Sequence, residues 1–122
     1  CLSRYAGGRV TFTDVSPTSI KTVRSNLATL AIDARASVLQ ADAIGSIEKY
    51  GTNSDLIFID PPYTDDTLGR AFMDRLGRVA KSGAVVIWEQ EVGHEAQADE
   101  GVWTILRDKQ YGRARFLILR KL

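Results

Sequence analysis

Cysteine is all but missing from this chain. Cys1 is the only one, so an internal disulfide is excluded and a reducing, cytoplasmic setting is expected. A lone terminal thiol with no catalytic neighbour in the sequence reads as inert. Histidine is equally scarce: His94 stands alone, in an acidic stretch where it reads as solvated. One Cys and one His cannot build a Cys/His ligand cluster, and no metal is expected. No apolar run approaches the roughly 20 residues of a membrane helix, so no membrane association is expected, and no signal peptide is visible. Excess charge is missing too. Sixteen basic residues face fifteen acidic ones, a formal net charge of +1, so bulk charge does not announce a nucleic-acid binder. Internal repeats, low-complexity tracts and linkers are absent.

What remains is ordinary in amount and specific in arrangement. The 122 residues are 44% apolar and 25% charged, the composition of one soluble globular domain. The chain opens on Cys1, in what reads as the middle of an element. It is therefore expected to be a fragment forming a single domain, 1–122.

Two of the three prolines are adjacent, at the end of Asp55-Leu-Ile-Phe-Ile-Asp-Pro-Pro-Tyr63. Leu56 to Ile59 is a continuous apolar run, the pattern of a strand buried on both faces. Pro61 and Pro62 stop it, because neither carries a ladder donor. Asp60 is thus placed at the strand's carboxyl end, before a stiff turn that presents Tyr63. Ligands of open α/β sheets gather at that edge. A carboxylate, a rigid carbonyl and an aromatic face suit a flat, amino-bearing molecule such as a nucleobase.

Elsewhere strand and helix patterns alternate. Strands are expected near 10–14, 36–40, 84–88, 103–109 and 115–120. Leu2 to Ala6 reads as a last helical turn closed by Gly7-Gly8. Ser16 and Pro17 open a helix with Ile20, Val23, Leu27 and Leu30 on one face. Asp42 opens a short helix carrying Ile44 and Ile47. A helix after Thr64-Asp65-Asp66 is expected to face inward with Leu68, Phe72, Leu76 and Val79. The tail reads as a hairpin around Gln110-Tyr111-Gly112. Phe116 to Leu119 is placed inside the sheet and Trp103 to Lys109 at its edge. The fold class is α/β: a Rossmann-like, doubly wound, mostly parallel sheet with a C-terminal antiparallel hairpin.

Four acids share one position in this plan. Asp14, Asp42, Asp60 and Glu89 each fall at, or just beyond, the carboxyl end of an expected parallel strand. Asp14 stands where such folds receive ribose hydroxyls, and Asp42 can accept from an adenine amino group. Asp after a strand is also a common helix cap, and that alternative stays open for both. Their joint placement points to a nucleoside-containing ligand.

Asp60-Pro61-Pro62-Tyr63, after a buried strand and before a helix, resembles the catalytic motif of S-adenosylmethionine-dependent methyltransferases that modify exocyclic amines of bases. Leu2-Ser3-Arg4, Val10 to Asp14, Asn26-Leu27, Asp42-Ala43 and the Tyr111-Gly112 hairpin resemble the RsmD type, which methylates a guanine amine in small-subunit ribosomal RNA. The resemblance implies catalytic roles for Asp60, Pro61, Pro62 and Tyr63. It implies cofactor contacts at Asp14, Val15, Asp42, Ala43 and Asp60. The partner it implies is ribosomal RNA, free or within a small-subunit assembly. The family also begins with an apolar strand and a Gly-rich loop, neither present here. That strand would lie between Val10–Asp14 and Leu56–Ile59.

Such chemistry starts from a weak nucleophile, since the amine's lone pair is delocalised into the ring. The resemblance implies that hydrogen bonds accepted by the Asp60 carboxylate and the Pro61 carbonyl would let the nitrogen pyramidalise, while Tyr63 would stack on a base taken out of its helix. The tail adds charge. Residues 89–100 hold five acids and no Lys or Arg; residues 101–122 hold six bases and one acid. A basic hairpin can contact phosphates; it is also an ordinary charged edge. The competing readings are a DNA adenine-amine methyltransferase and a non-catalytic Rossmann-like nucleotide-binding module.

Overall fold

The computed structural model of the chain describes residues 8–60, 66–93 and 97–122. The expected helix turn at Leu2 to Ala6, Pro61 to Tyr63 and His94 lie outside those residues. The chain divides into two compact units, residues 1–46 and 47–122.

In the first unit, β1 (Val10–Asp14) and β2 (Ala36–Gln40) pair in parallel, with Val10 opposite Ala36 and Asp14 opposite Gln40. The return between them is α1 (Pro17–Thr29). Its start is the expected one. Ser16 is extended and accepts from Ser19 N at 3.3 Å, and Pro17 holds the first helical position, where a missing N–H is harmless. Ile20 and Leu27 are buried, but Leu30 is 64% exposed, contrary to the expected inner face. The reason is the helix end. Leu30 is the C-cap, and Ala31 turns left-handed at φ 56°. Ala31 N then reaches Ala28 O and Ile32 N reaches Leu27 O, both at 3.1 Å, the paired bonds of a Schellman close. α2 (Ala43–Ser46) follows β2.

The second unit begins with a π turn at Ile47–Gly51, which precedes β3 (Leu56–Ile59). Its sheet runs β3, β4 (Val85–Glu91), β6 (Ala114–Lys121), β5 (Trp103–Tyr111). β3 and β4 are parallel; β4–β6 and β6–β5 are antiparallel. β6 is interior and β5 the edge, as the apolar pattern of Phe116 to Leu119 requires. β1 and β3 belong to different sheets.

One face of this sheet carries Ile59, Val86, Trp88, Leu117, Leu119 and Trp103, all buried. α3 (Asp66–Val79) packs on it, but only Leu76 of the expected inner face is fully buried. Its buried stripe is Gly69, Met73, Leu76 and Ala80, with Leu68, Phe72 and Val79 only half-buried. Two indoles decide this. A Cβ on Gly69 would lie 2.9 Å from the Trp88 ring, and one on Gly77 2.9 Å from Val102 Cγ1 and 3.3 Å from Trp103 Nε1. The helix turns its glycines toward the two largest side chains, because only bare backbone fits against them at that separation. The other face differs. Leu56 is 42% and Phe58 60% exposed, so β3 is not buried on both sides as its apolar run suggested. Period-2 alternation sends Ile57 and Ile59 toward α3 and Leu56 and Phe58 away from it.

The left-handed Ala31 generates a stability prediction. A Cβ in that conformation costs about 1–2 kcal/mol, while glycine loses more chain entropy on folding, roughly 0.5–1 kcal/mol. Ala31→Gly should therefore stabilise the protein by about 0.5–1 kcal/mol, read as a raised urea midpoint at unchanged slope. A lowered midpoint would mean that the Schellman close is not held in solution.

Candidate functional site

In the first unit the expected cofactor residues come together. Ala41 N donates to Asp14 O at 3.0 Å, tying the carboxyl end of β1 to that of β2. Asp14 closes β1 and Asp42 follows β2 by two residues, so the two acids stand on neighbouring parallel strand ends. Each does the bland work of a cap. Asp14 Oδ1 accepts from Ser16 N at 2.8 Å, and Asp42 Oδ1 from Ile44 N at 3.3 Å. A carboxylate engaged through one oxygen still has a second with which to meet a ligand. Val15, 66% exposed, stands beside Asp14 as an apolar surface, its carbonyl held by Gln40 Nε2 at 3.4 Å. Ala43 is half-buried after Asp42. Two acceptors beside a small apolar surface suit ribose hydroxyls and an amino-bearing ring.

In the second unit Asp60 follows β3 directly and is exposed. Ile59 lies opposite Trp88, so the next residues, Asp60 and Glu89, are neighbours. Their carboxyls are hydrogen-bonded, and the Asp60 carboxyl is held above the ordinary carboxylate range. Partial burial is the main cause, followed by the negative charge of Glu89 and the shared hydrogen bond. A proton between two carboxylates belongs to the pair. Such a pair can accept hydrogen bonds from an amine and take up a proton that the amine gives up.

Glu89 was expected just past its strand. Instead β4 continues to Glu91, because β6 pairs with it as far as Ala114. Glu89 is thus a half-buried residue of the strand, fixed beside Asp60. Its partnership with Asp60 escaped sequence reasoning. The available signal was two acids at matching positions of two adjacent parallel strands. Among the described residues, no three of His, Cys, Asp and Glu cluster as a metal site, and no helix is long and apolar enough to cross a membrane.

With this geometry in view, comparison with known proteins is informative. A family model described as Conserved hypothetical protein 95 matches residues 1–120. Ribosomal RNA small subunit methyltransferase D of Escherichia coli (strain K12) is 25% identical over 122 residues, which cover 98% of this chain and 60% of that protein. The chain thus spans about 60% of the length of this curated relative. The solved structure of yhhF from Escherichia coli is 26% identical with a TM-score of 0.81, covering 98% of this chain and 66% of that one. A conserved hypothetical protein of Streptococcus pyogenes is 18% identical with a TM-score of 0.83, covering 94% and 72%, a likeness of fold. The Rossmann-like α/β class expected from the sequence is the class of these structures.

The Asp60–Glu89 pair generates a titration prediction. Because the folded carboxyl binds its proton more tightly than the unfolded one, stability falls as pH rises from the ordinary value of 3.8 through the raised one. Glu89→Gln removes the charge but not the burial. It should lower the Asp60 midpoint without returning it to 3.8, and shrink the loss of stability across that window. Carboxyl carbon shifts followed against pH check this. An unmoved Asp60 midpoint would show that the two carboxyls do not share a proton.

Proposed function

This chain belongs to the Conserved hypothetical protein 95 family, and from that premise we propose that it carries out S-adenosylmethionine-dependent methylation of a guanine exocyclic amine in small-subunit ribosomal RNA. The observation that carries this reading is Asp60. It stands at the carboxyl end of a parallel strand, its carboxyl raised above the ordinary range beside Glu89, at the head of Asp60-Pro61-Pro62-Tyr63.

Asp14 and Val15, with Asp42 and Ala43, fit the nucleoside portion of the cofactor. Asp14 would receive the ribose hydroxyls, Asp42 the adenine amino group, and Val15 and Ala43 would flank the ring. When bound, S-adenosylmethionine supplies an electrophilic sulfonium methyl group. The chain's own residues deal with the amine. The Asp60 carboxylate and the Pro61 carbonyl accept its hydrogens, which restores lone-pair character to the nitrogen. Pro62 would restrict the backbone of the residue before it. Tyr63 stacks on the flipped base and holds the nitrogen in line. Glu89 raises the basicity of Asp60, which suits it to take the proton that the amine loses as it is methylated. Small-subunit ribosomal RNA, rather than DNA, is the substrate that the Escherichia coli relative's name supports.

Single-turnover transfer of labelled methyl to unmodified small-subunit ribosomal RNA and to adenine-containing DNA tests the reading. RNA alone should accept label. Asp60→Ala should slow transfer by about 10²–10³-fold, the loss of one preorganised electrostatic partner, with a smaller change in cofactor affinity. Tyr63→Ala should weaken base capture as well, and Tyr63→Phe should be mild, because the ring stacks. Near-normal transfer by a folded Asp60→Ala protein would reduce the motif to a turn.

A further inference from the structure

The β5–β6 hairpin lies in the same sheet as Asp60, and its register carries the site outward. Asp60 neighbours Glu89; Glu89 lies opposite Phe116, and Phe116 opposite Lys109. Paired residues on adjacent strands point to one face. Asp60, Glu89, Phe116 and Lys109 therefore form a row across four strands, spanning about 14 Å at the usual strand spacing. Beyond it, toward the hairpin tip, come Glu91, Ala114 and Tyr111, and then Arg113. The carboxyl edge that holds Asp60 is thus continuous with the hairpin tip.

The chemistry changes along this row. Acids occupy one side: Asp60 just past β3, and Glu89 and Glu91 in β4. An aromatic pair follows: Tyr111, 57% exposed, meets the half-buried Phe116 edge to face, with centroids 5.9 Å apart and planes at 69°. Cations occupy the edge strand. Lys109 Nζ lies 5.4 Å from the Tyr111 ring centroid. Arg107, opposite Ile118, shares the face and is exposed, as is Arg113 at the tip. The only acid in residues 101–122 is Asp108. It lies on the opposite face, held by Arg115 through two contacts of 2.5 and 2.8 Å. That pairing depresses the Asp108 carboxyl below its ordinary range, chiefly through the Arg115 hydrogen bond. Asp108 is thereby placed away from the cations of the site face.

We propose that the face formed by Arg107, Lys109, Tyr111 and Phe116 seats the single-stranded RNA segment flanking the target nucleotide. Tyr111 stacks on an unpaired base, and Arg107 and Lys109 meet the phosphates. The proposal deepens the methyltransferase reading and rests on it. An exposed ring on a sheet face stacks only on a base that is not paired, which selects single strand over duplex. The cations at the outer strand complement a phosphate backbone, and the row leads that strand to Asp60.

Fluorescence anisotropy of a labelled 12-nucleotide single-stranded RNA containing guanine, titrated at several salt concentrations, tests the surface, with circular dichroism to verify folding. Tyr111→Ala should weaken binding about tenfold and Tyr111→Phe should preserve it. Arg107→Ala with Lys109→Ala should flatten the log affinity–log salt slope by about 1.4, two phosphate contacts on a single strand. Duplex RNA should bind more weakly and be indifferent to Tyr111→Ala. Unchanged single-strand affinity and slope in the folded variants would overturn the proposal, as would equal binding of duplex or no binding of single strand by the unmodified protein. Methyl transfer is measured separately. Tyr111-dependent binding without transfer to any RNA would strike the methyltransferase reading and leave the surface standing. Transfer that persists with Tyr111-independent binding would strike the surface alone.

Discussion

Hydrogen bonding along both edges of β4 is the constraint on which the second unit depends. On one side β4 is parallel to β3, on the other antiparallel to β6. Parallel pairing sets Asp60 beside Glu89, and antiparallel pairing sets Glu89 beside Phe116. A shift of one residue in either ladder would send these side chains to the opposite face. What prevents it is the buried face, where Val86 and Trp88 alternate with the row that carries Glu89. Core burial and site geometry are thus two readings of one register.

The packing of α3 follows from the same face. Trp88 at one end, and Val102 with Trp103 at the other, stand so close that the helix approaches them through Gly69 and Gly77. Met73 and Leu76 then fill the space between, both almost wholly buried. The helix is seated by shape complementarity as much as by hydrophobicity. Glycine, which lowers helix propensity, is kept at these positions for the clearance it gives.

The strands were legible in the sequence because their signals are local. Apolar runs, alternation and turn residues placed all six, and Ser16-Pro17 marked the start of α1 to the residue. Parallel pairing and the interior place of β6 followed from chain order and apolar content. What sequence reasoning missed depends on partners. The inner face of α3 was assigned by hydrophobicity, but the indoles opposite it are decided by tertiary packing. Leu56 and Phe58 were assigned to the interior because an apolar run does not reveal which of its two faces is covered. Leu30 looked like a core residue until the left-handed Ala31 closed the helix around it. At the site, Asp14, Asp42 and Asp60 were visible as acids at strand ends. The link from Glu89 to Asp60 was not, since it requires the length of β4, which β6 sets from across the sheet.

The seating of α3 has an optical consequence. The chain's two tryptophans, Trp88 and Trp103, are both buried, and both lie against glycines of this one helix. Near-ultraviolet emission from the protein therefore samples a single interface rather than the molecule at large. One of its two chromophores immediately precedes Glu89 in β4. Lifting α3 would let water reach both indoles and shift their emission to the red together. The unlabelled protein carries a built-in reporter for the helix that follows Asp60-Pro61-Pro62-Tyr63 in the chain.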